Sequence, residues 1–197
     1  MMQAVLEFWF GTATDADAIA RAQSGLWWGK NAATDATIRE RFGSLHAQVR
    51  GGGHSEWGRT ATGRLALILV IDQFSRNMYR DDPRAFADDP MARRWCVEGL
   101  ASGQDRELPP IQRVFFYLPL EHSEALEDQH RCVALMEALA AAVPAGEREL
   151  FDGYVGFARA HARIIERFGR FPHRNAILGR TSTPEETAFL REPNSAF

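Results

Sequence analysis

The chain has 197 residues, of which 45% are hydrophobic and 25% are charged. This length and composition are those of a globular protein, and we expect a single domain over residues 1–197. The net charge of −3 argues against an extended nucleic-acid-binding surface, and no apolar stretch approaches the length of a membrane span.

The N-terminus has no basic segment followed by a long apolar stretch, so a cytoplasmic location is expected. The two cysteines, Cys96 and Cys132, stand far apart in apolar surroundings, so they are interpreted as small core residues. No HExxH, nucleophile or glycine-rich phosphate motif is present, so we expect no cofactor. The sequence does not fix the oligomeric state.

Helix signals begin early in the chain. Thr34–Asp35 precedes an apolar stripe that runs from Ile38 to Val49 at helical spacing, and the glycines 51–53 should end that helix. The apolar run Leu65–Ile71 could form a buried strand or a helix. We predict a helix, because no alternating partner strand occurs elsewhere in the chain.

Further helices follow in the same way. Asp89–Pro90 predicts an N-cap with proline at the first helical position, and Gly103 predicts the end of that helix. Pro109–Pro110 precedes a short helix over Ile111–Tyr117, and Thr183–Glu186 has acids in the first turn of another.

Two long helices lie between them. One is expected from Ser123 through Ala142, and the other from Glu147 to Phe168, where Gly169 ends it. The whole pattern predicts an all-α fold of seven to nine helices in antiparallel hairpins, because the connections are short.

Asp72 stands on an apolar stripe with Leu65 and Leu69, on a helix that should be buried. An unpaired buried carboxylate is costly, so Asp72 needs a partner, and Arg76 four residues later is the obvious one. The two residues form either an internal ion pair or part of a ligand site.

His122 precedes the apolar stripe of the helix expected to start at Ser123, where free backbone N–H groups would favour an anion. Glu124 suits the dipole of the same first turn. His122 and Glu124 could supply two metal ligands, but no third stands at a recognised spacing, so no metal site is predicted. A core or capping role for His122 is the alternative.

His161 lies at the centre of an otherwise apolar stripe on the next long helix, and a lone histidine in such a place is usually a core residue. Its helix leads directly into Arg-Phe-Gly-Arg-Phe-Pro-His-Arg-Asn, residues 167–175. Guanidinium groups bind carboxylate and phosphate in bidentate geometry, so this loop suggests an anion site. Arginines that merely stabilise the end of a helix are the alternative.

The predicted site therefore combines groups from several helices. The candidate catalytic residues are Asp72, His122, Glu124 and His161. The candidate ligand-binding residues are Arg76, Arg167, Arg170, His173, Arg174, Asn175 and Arg180.

At these residues the sequence resembles a family of bacterial and eukaryotic proteins classed as domain of unknown function 924. The resemblance covers nearly the whole chain and rests on Val5–Gly11, Trp27–Trp28, Gly63–Leu67, Asp72–Asn77, Phe115–Glu124, His161, Arg167–Asn175, Leu178–Arg180 and Ser182–Glu186. The family typically has Pro where Ser75 stands and often Met where Glu121 stands. The resemblance implies a tetratricopeptide-like helical array and no established activity, cofactor or partner.

Three functional hypotheses follow. The first is a site for a small anionic molecule, in which a histidine–carboxylate pair could also act as general acid or base. The second is a tetratricopeptide-like module that binds an acidic peptide or acts as a scaffold. In the third, the polar groups form only an internal network. A closed polar pocket would favour the first hypothesis and an open concave groove the second.

Overall fold

The computed structural model describes residues 1–193 and residue 195. Within this part of the chain it has nine α-helices and no strand, which confirms the all-α class and the predicted number of helices. The tetratricopeptide-like arrangement stays a prediction. The helices are α1 (Met2–Phe10), α2 (Ala16–Trp27), α3 (Ala32–Arg50), α4 (Ala61–Ile68, Leu69–Gln73 and Phe74–Met78 in succession), α5 (Asp89–Ala101), α6 (Pro110–Glu121), α7 (Leu126–Ala142), α8 (Arg148–Phe168) and α9 (Pro184–Phe189).

The centre of the fold is α4, which packs against α1, α3, α5 and α6. Every residue from Leu65 to Ile71 has no solvent exposure, so the run predicted as a helix is a helix buried on all sides. Its middle piece, Leu69–Gln73, is a π-helical turn. Such wide turns occur frequently at functional sites.

Aromatic rings pack around the C-terminal half of α4. Phe74 has no solvent exposure, and its ring centroid lies 4.8 Å from that of Phe42, 5.7 Å from Trp9 and 6.0 Å from Phe8. Edge and tilted contacts of this kind add to the free energy gained from burying the rings. The N-terminal helix and α3 are thereby fixed against α4.

The predicted start of α3 was wrong by a few residues. The Asn31 side chain accepts hydrogen bonds from the backbone N–H groups of Ala33 and Thr34, so α3 starts before Thr34–Asp35. Asp35 instead turns inward, where it pairs with Arg80 and accepts a hydrogen bond from Asn77. The stop at Gly51 is as predicted.

The N-cap of α5 is Asp88 and not Asp89. The Asp88 carboxylate makes no capping hydrogen bond, because it is buried and accepts one from Arg50 Nε at 3.0 Å. Asp89 is therefore the first residue of the helix and is available to groups outside it. The predicted start of α9 is confirmed, since Thr183 and Glu186 form a reciprocal capping box.

A second, smaller apolar cluster joins the end of α8 to α9. It is formed by Ile164, Ile165, Phe171 and Phe189, with Phe168 packed against it. The segment between Gly169 and Thr183 lies over this cluster, and Gly169 ends α8 in the left-handed conformation with φ 67°. None of the helices in the described part of the chain is long and apolar enough to cross a membrane.

Replacing Phe74 by alanine should lower the free energy of unfolding by about 3–5 kcal/mol, because a buried phenyl ring is lost and a cavity remains. Phe157→Ala is the matched control, since Phe157 is 59% exposed on α8. It should change that free energy by no more than about 0.5 kcal/mol. Urea denaturation measures both, and equal losses would contradict this description of the core.

Candidate functional site

A buried carboxylate stands at the base of the candidate site. Asp72, in the π-helical turn of α4, has no solvent exposure. Its Oδ1 lies 3.0 Å from Arg76 Nη1 and 2.8 Å from His122 Nδ1, and its Oδ2 accepts a hydrogen bond of 2.6 Å from Gln73 Nε2. Burial by itself would raise the pKa of Asp72, but Arg76 and His122 lower it well below its usual range. The partner predicted four residues along the chain is confirmed.

Arg76 connects this carboxylate to α5. Its Nη1 and Nη2 donate to the two carboxylate oxygens of Asp89 at 3.0 and 3.1 Å, a bidentate pair. Sequence reasoning missed Asp89, because Asp-Asp-Pro offers two equivalent capping residues and does not indicate which one turns inward. Arg76 keeps 20% of its side-chain surface exposed and Asp89 19%, so this pair lies at the edge of solvent.

We predicted that His122 heads the following helix. In the structure it is instead the C-cap of α6. The buried Gln129 side chain explains the difference, since its Nε2 donates to the backbone carbonyls of Glu121 and Ser123, both at 2.6 Å. It thereby satisfies the end of α6, and α7 begins only at Leu126. The anion site expected at a helix start at Ser123 is not formed there. The Ser123 hydroxyl instead donates to Asp128 at 2.6 Å.

The contact with Asp72 fixes the tautomer of His122. An ionised carboxylate can only accept, so Nδ1 of His122 carries the proton in this 2.8 Å hydrogen bond. Burial and the Arg76 charge lower the pKa of His122, although Asp72 opposes them. The ring is therefore neutral at pH 7 and its Nε2 is an acceptor. The side chain is 14% exposed.

His161, on α8, is the second buried histidine of the site. Its ring centroid lies 6.5 Å from that of His122. Its Nδ1 donates to the backbone carbonyl of Phe157 at 2.9 Å and lies 3.3 Å from Glu121 Oε1. Burial lowers the pKa of His161 to about 3 despite the hydrogen bond to Phe157, so this ring is neutral too.

Glu121 is a buried carboxyl group that sequence reasoning did not assign to the site. It is 5% exposed and its Oε2 lies 3.9 Å from the thiol of Cys132. Burial raises its pKa to about 8, the hydrogen bond from Cys132 opposes this shift, and the Asp72 charge adds to it. The group is therefore mostly protonated at neutral pH. The sequence signal that could have assigned Glu121 to the site was its position at the polar end of an apolar helix.

Arg174, a member of the predicted anion-binding loop, is buried beside two aromatic rings. Its guanidinium carbon lies 4.7 Å from the ring centroid of Phe86 and 4.5 Å from that of Phe171. Arg174 Nη1 donates to Asp89 Oδ2 at 3.3 Å. Its buried Nε has no partner in the described part of the chain. Burial, followed by the Arg76 charge, lowers the pKa of Arg174 to about 10.

Glu124 and Arg180 hold the segment after α8 against the site. Arg180 Nη1 and Nη2 donate to the Glu124 carboxylate at 2.7 and 2.9 Å, and the Phe171 N–H donates to the same carboxylate at 2.8 Å. The His173 ring lies 5.6 Å from Phe171. Burial and the Arg174 charge lower the pKa of His173 to about 4. Phe171 is thus pinned beside Arg174.

Three predicted ligand-binding residues lie in a different network, around α9. Arg170 forms a bidentate pair with Glu186 at 2.6 and 2.8 Å. Asn175 donates to the same Glu186 at 3.2 Å, and Arg167 pairs with Glu185 at 3.0 Å. These contacts anchor the terminal helix, so the structure places Arg167, Arg170 and Asn175 in that anchor.

The remaining predicted residues surround one region of the molecule, where α4, α5, α6 and α8 meet the segment after α8. The structure brings together Asp72, Arg76, His122, Glu124, His161, His173, Arg174 and Arg180. It adds Asp89, Glu121, Phe86 and Phe171 to them. Among the described residues, no group of three or more His, Cys, Asp or Glu could hold a metal ion.

Comparison with known proteins agrees with the motifs noted in the sequence. The profile of the family described as "Bacterial protein of unknown function (DUF924)" matches residues 5–194. The chain belongs to this family. The solved structure of a protein of unknown function from Agrobacterium tumefaciens is similar to this DUF924 protein, with 35% sequence identity, a TM-score of 0.81 and 96% of each chain covered. No curated protein matches the sequence.

Replacing Glu121 by glutamine should make the DUF924 protein more stable than the wild type as the pH rises. The folded state holds the Glu121 proton up to a pKa of about 8, whereas the unfolded state loses it near the ordinary value of 4.5. Between these values, each pH unit favours unfolding of the wild type by about 1.4 kcal/mol. Glutamine has no proton to lose, and the histidine contributions cancel in the comparison.

Urea denaturation of both proteins at several pH values between 5 and 8 measures this difference. Glu137→Gln is the matched control, because Glu137 is an exposed residue paired with Arg159. Its stability relative to the wild type should not vary with pH. A constant difference for Glu121→Gln as well would mean that Glu121 is ionised in the folded protein.

Proposed function

We propose that this protein binds a small anionic molecule at the cluster of Arg76, Arg174 and His122. The observation that carries the proposal is the state of Arg174. Its side chain is only 7% exposed, its acceptor among the described residues is Asp89 at 3.3 Å, and its buried Nε has no partner there. A buried cation with so few acceptors is costly, and an anion would supply them.

The surroundings of Arg174 favour a bound anion over a further protein carboxylate. The rings of Phe86 and Phe171 contact the guanidinium by cation–π interaction but offer no hydrogen-bond acceptor. Asp89 is shared, because it already accepts two hydrogen bonds from Arg76. The fixed guanidinium therefore has N–H groups available for bidentate recognition of a carboxylate or phosphate.

Several side chains of the site are partly exposed to solvent. Asp72 is fully buried, whereas the side chains of His122, Asp89 and Arg76 are 14%, 19% and 20% exposed. A bound molecule would lie over these groups with its anionic end toward the arginines. Charges act more strongly there than in open water, because the base of the site excludes solvent.

The same geometry supports an acid–base role for His122 if the bound molecule reacts. A neutral histidine whose Nδ1–H is held by a buried carboxylate presents Nε2 as a proton acceptor, an arrangement used in general base catalysis. In this proposal Asp72 orients the ring. Glu124 is a positioning residue, since its carboxylate already binds Arg180 and the Phe171 N–H.

Phosphate, sulfate and citrate, each titrated at constant ionic strength, should raise the melting temperature of the wild type. A ligand at about 100 times its dissociation constant adds about 2.7 kcal/mol to stability. Arg174→Met should abolish the rise in melting temperature while changing the unfolding free energy by only about 1 kcal/mol. The methionine side chain fills the space beside the two aromatic rings, and Asp89 is still paired with Arg76. Arg167→Ala is the control, since it removes an exposed arginine that pairs with Glu185.

Three results would count against the proposal. Equal loss of the anion effect in both variants would mean unspecific charge screening. Unchanged binding in Arg174→Met would place the anion elsewhere. Failure of every small anion, together with stabilisation by an acidic peptide, would favour the peptide-binding or scaffolding function instead.

A further inference from the structure

We infer that the preferred ligand is an anion that also carries an O–H donor close to its anionic group, of which a 2-hydroxycarboxylate is the simplest form. The inference rests on the proposed anion site and defines its ligand further. It follows from two opposite kinds of hydrogen-bonding group on the walls of one site. Arg174 offers donors, whereas His122 offers an acceptor.

The acceptor, Nε2 of His122, is defined by the structure of the neutral imidazole ring and by one hydrogen bond. Asp72 accepts a hydrogen bond of 2.8 Å from the Nδ1–H of His122, and Asp72 is itself held in place by Arg76 and Gln73. The neutral ring cannot also carry a proton on Nε2. A simple carboxylate or sulfate placed beside Nε2 would bring two acceptors together, which is unfavourable, while a hydroxyl group would donate to it.

The spacing suits a small molecule. The ring of His161 lies 6.5 Å from that of His122 and 5.6 Å from that of Phe171, and Arg174 covers the face of Phe171 at 4.5 Å. Donor and acceptor are thus linked through only two intervening rings, those of His161 and Phe171, so the hydroxyl group of the ligand must be close to its anionic group.

The charges of the site disfavour an ammonium group as the donor. A protonated amine could also donate to His122, but it would lie beside Arg76, which contacts the same Asp72 oxygen as His122. The ammonium group and the Arg76 guanidinium would both be positively charged and would repel each other. A neutral hydroxyl group meets no such penalty, so a hydroxy acid is favoured over an amino acid.

Matched ligands test the inference in the wild-type protein. Lactate and propionate differ by one hydroxyl group, and hydrogen phosphate keeps an O–H donor that sulfate lacks. Calorimetric titration at pH 7.5 should give a dissociation constant about five- to tenfold lower for lactate than for propionate, the effect of one net hydrogen bond. A preference in the phosphate pair alone would identify a phosphate ligand, and one in the carboxylate pair alone a hydroxycarboxylate.

His122→Asn isolates the acceptor. The asparagine amide can replace Nδ1–H toward Asp72 but has nothing at the place of Nε2. The variant should lose the preference for lactate over propionate. His130→Asn is the control, because His130 is an exposed histidine paired with Glu166, and it should keep that preference.

The outcomes separate this inference from the proposed function. Equal affinity for both members of each wild-type pair would leave the anion site standing and overturn the inference, whether or not the variant folds. No binding of any of the four anions would overturn both. A lactate preference that survives in His122→Asn would assign the acceptor to another residue and would likewise overturn it.

Discussion

The fold and the candidate site both depend on how one buried charge is satisfied. Asp72 lies without solvent exposure in the most buried helix of the protein, where an uncompensated carboxylate would cost several kcal/mol. Arg76 and His122 supply the compensation. Arg76 also binds Asp89 on α5, and Asp89 binds Arg174 after α8. A series of charges therefore extends outward from the apolar core, and it ends at Arg174, whose buried Nε has no partner among the described residues.

The sequence was sufficient where the controlling interactions are local. Helical spacing identified α4 as a buried helix and Arg76 as the partner of Asp72, because that pair lies on adjacent turns. The sequence was insufficient where a distant group decides. The amide of Gln129 closes α6 and delays the start of α7, so His122 ends one helix and does not begin the next. The burial of Asp88 against Arg50 likewise releases Asp89.

The arginine-rich segment shows the same limit. In the sequence, Arg170 and Arg174 are equivalent residues of one loop, four positions apart. In the structure, Arg170 binds Glu186 and anchors α9, whereas Arg174 binds Asp89 and contacts the rings of two phenylalanines. The two arginines differ because they bind different carboxylates, Glu186 and Asp89, which come from distant parts of the chain. Composition alone could therefore locate the segment but not divide it into a structural half and a candidate ligand-binding half.

The protonation state of His122 is where this description can be tested most directly. Nitrogen-15 NMR of the wild-type protein at pH 7, with the histidines assigned, distinguishes the two neutral tautomers from the imidazolium ion. A neutral ring protonated on Nδ1 is the predicted result, since Asp72 accepts a hydrogen bond from Nδ1–H and Nε2 is left as an acceptor. A ring protonated on Nε2 alone would contradict the ordering of the site by Asp72, and a ring protonated on both nitrogens would contradict the role of Nε2 as an acceptor.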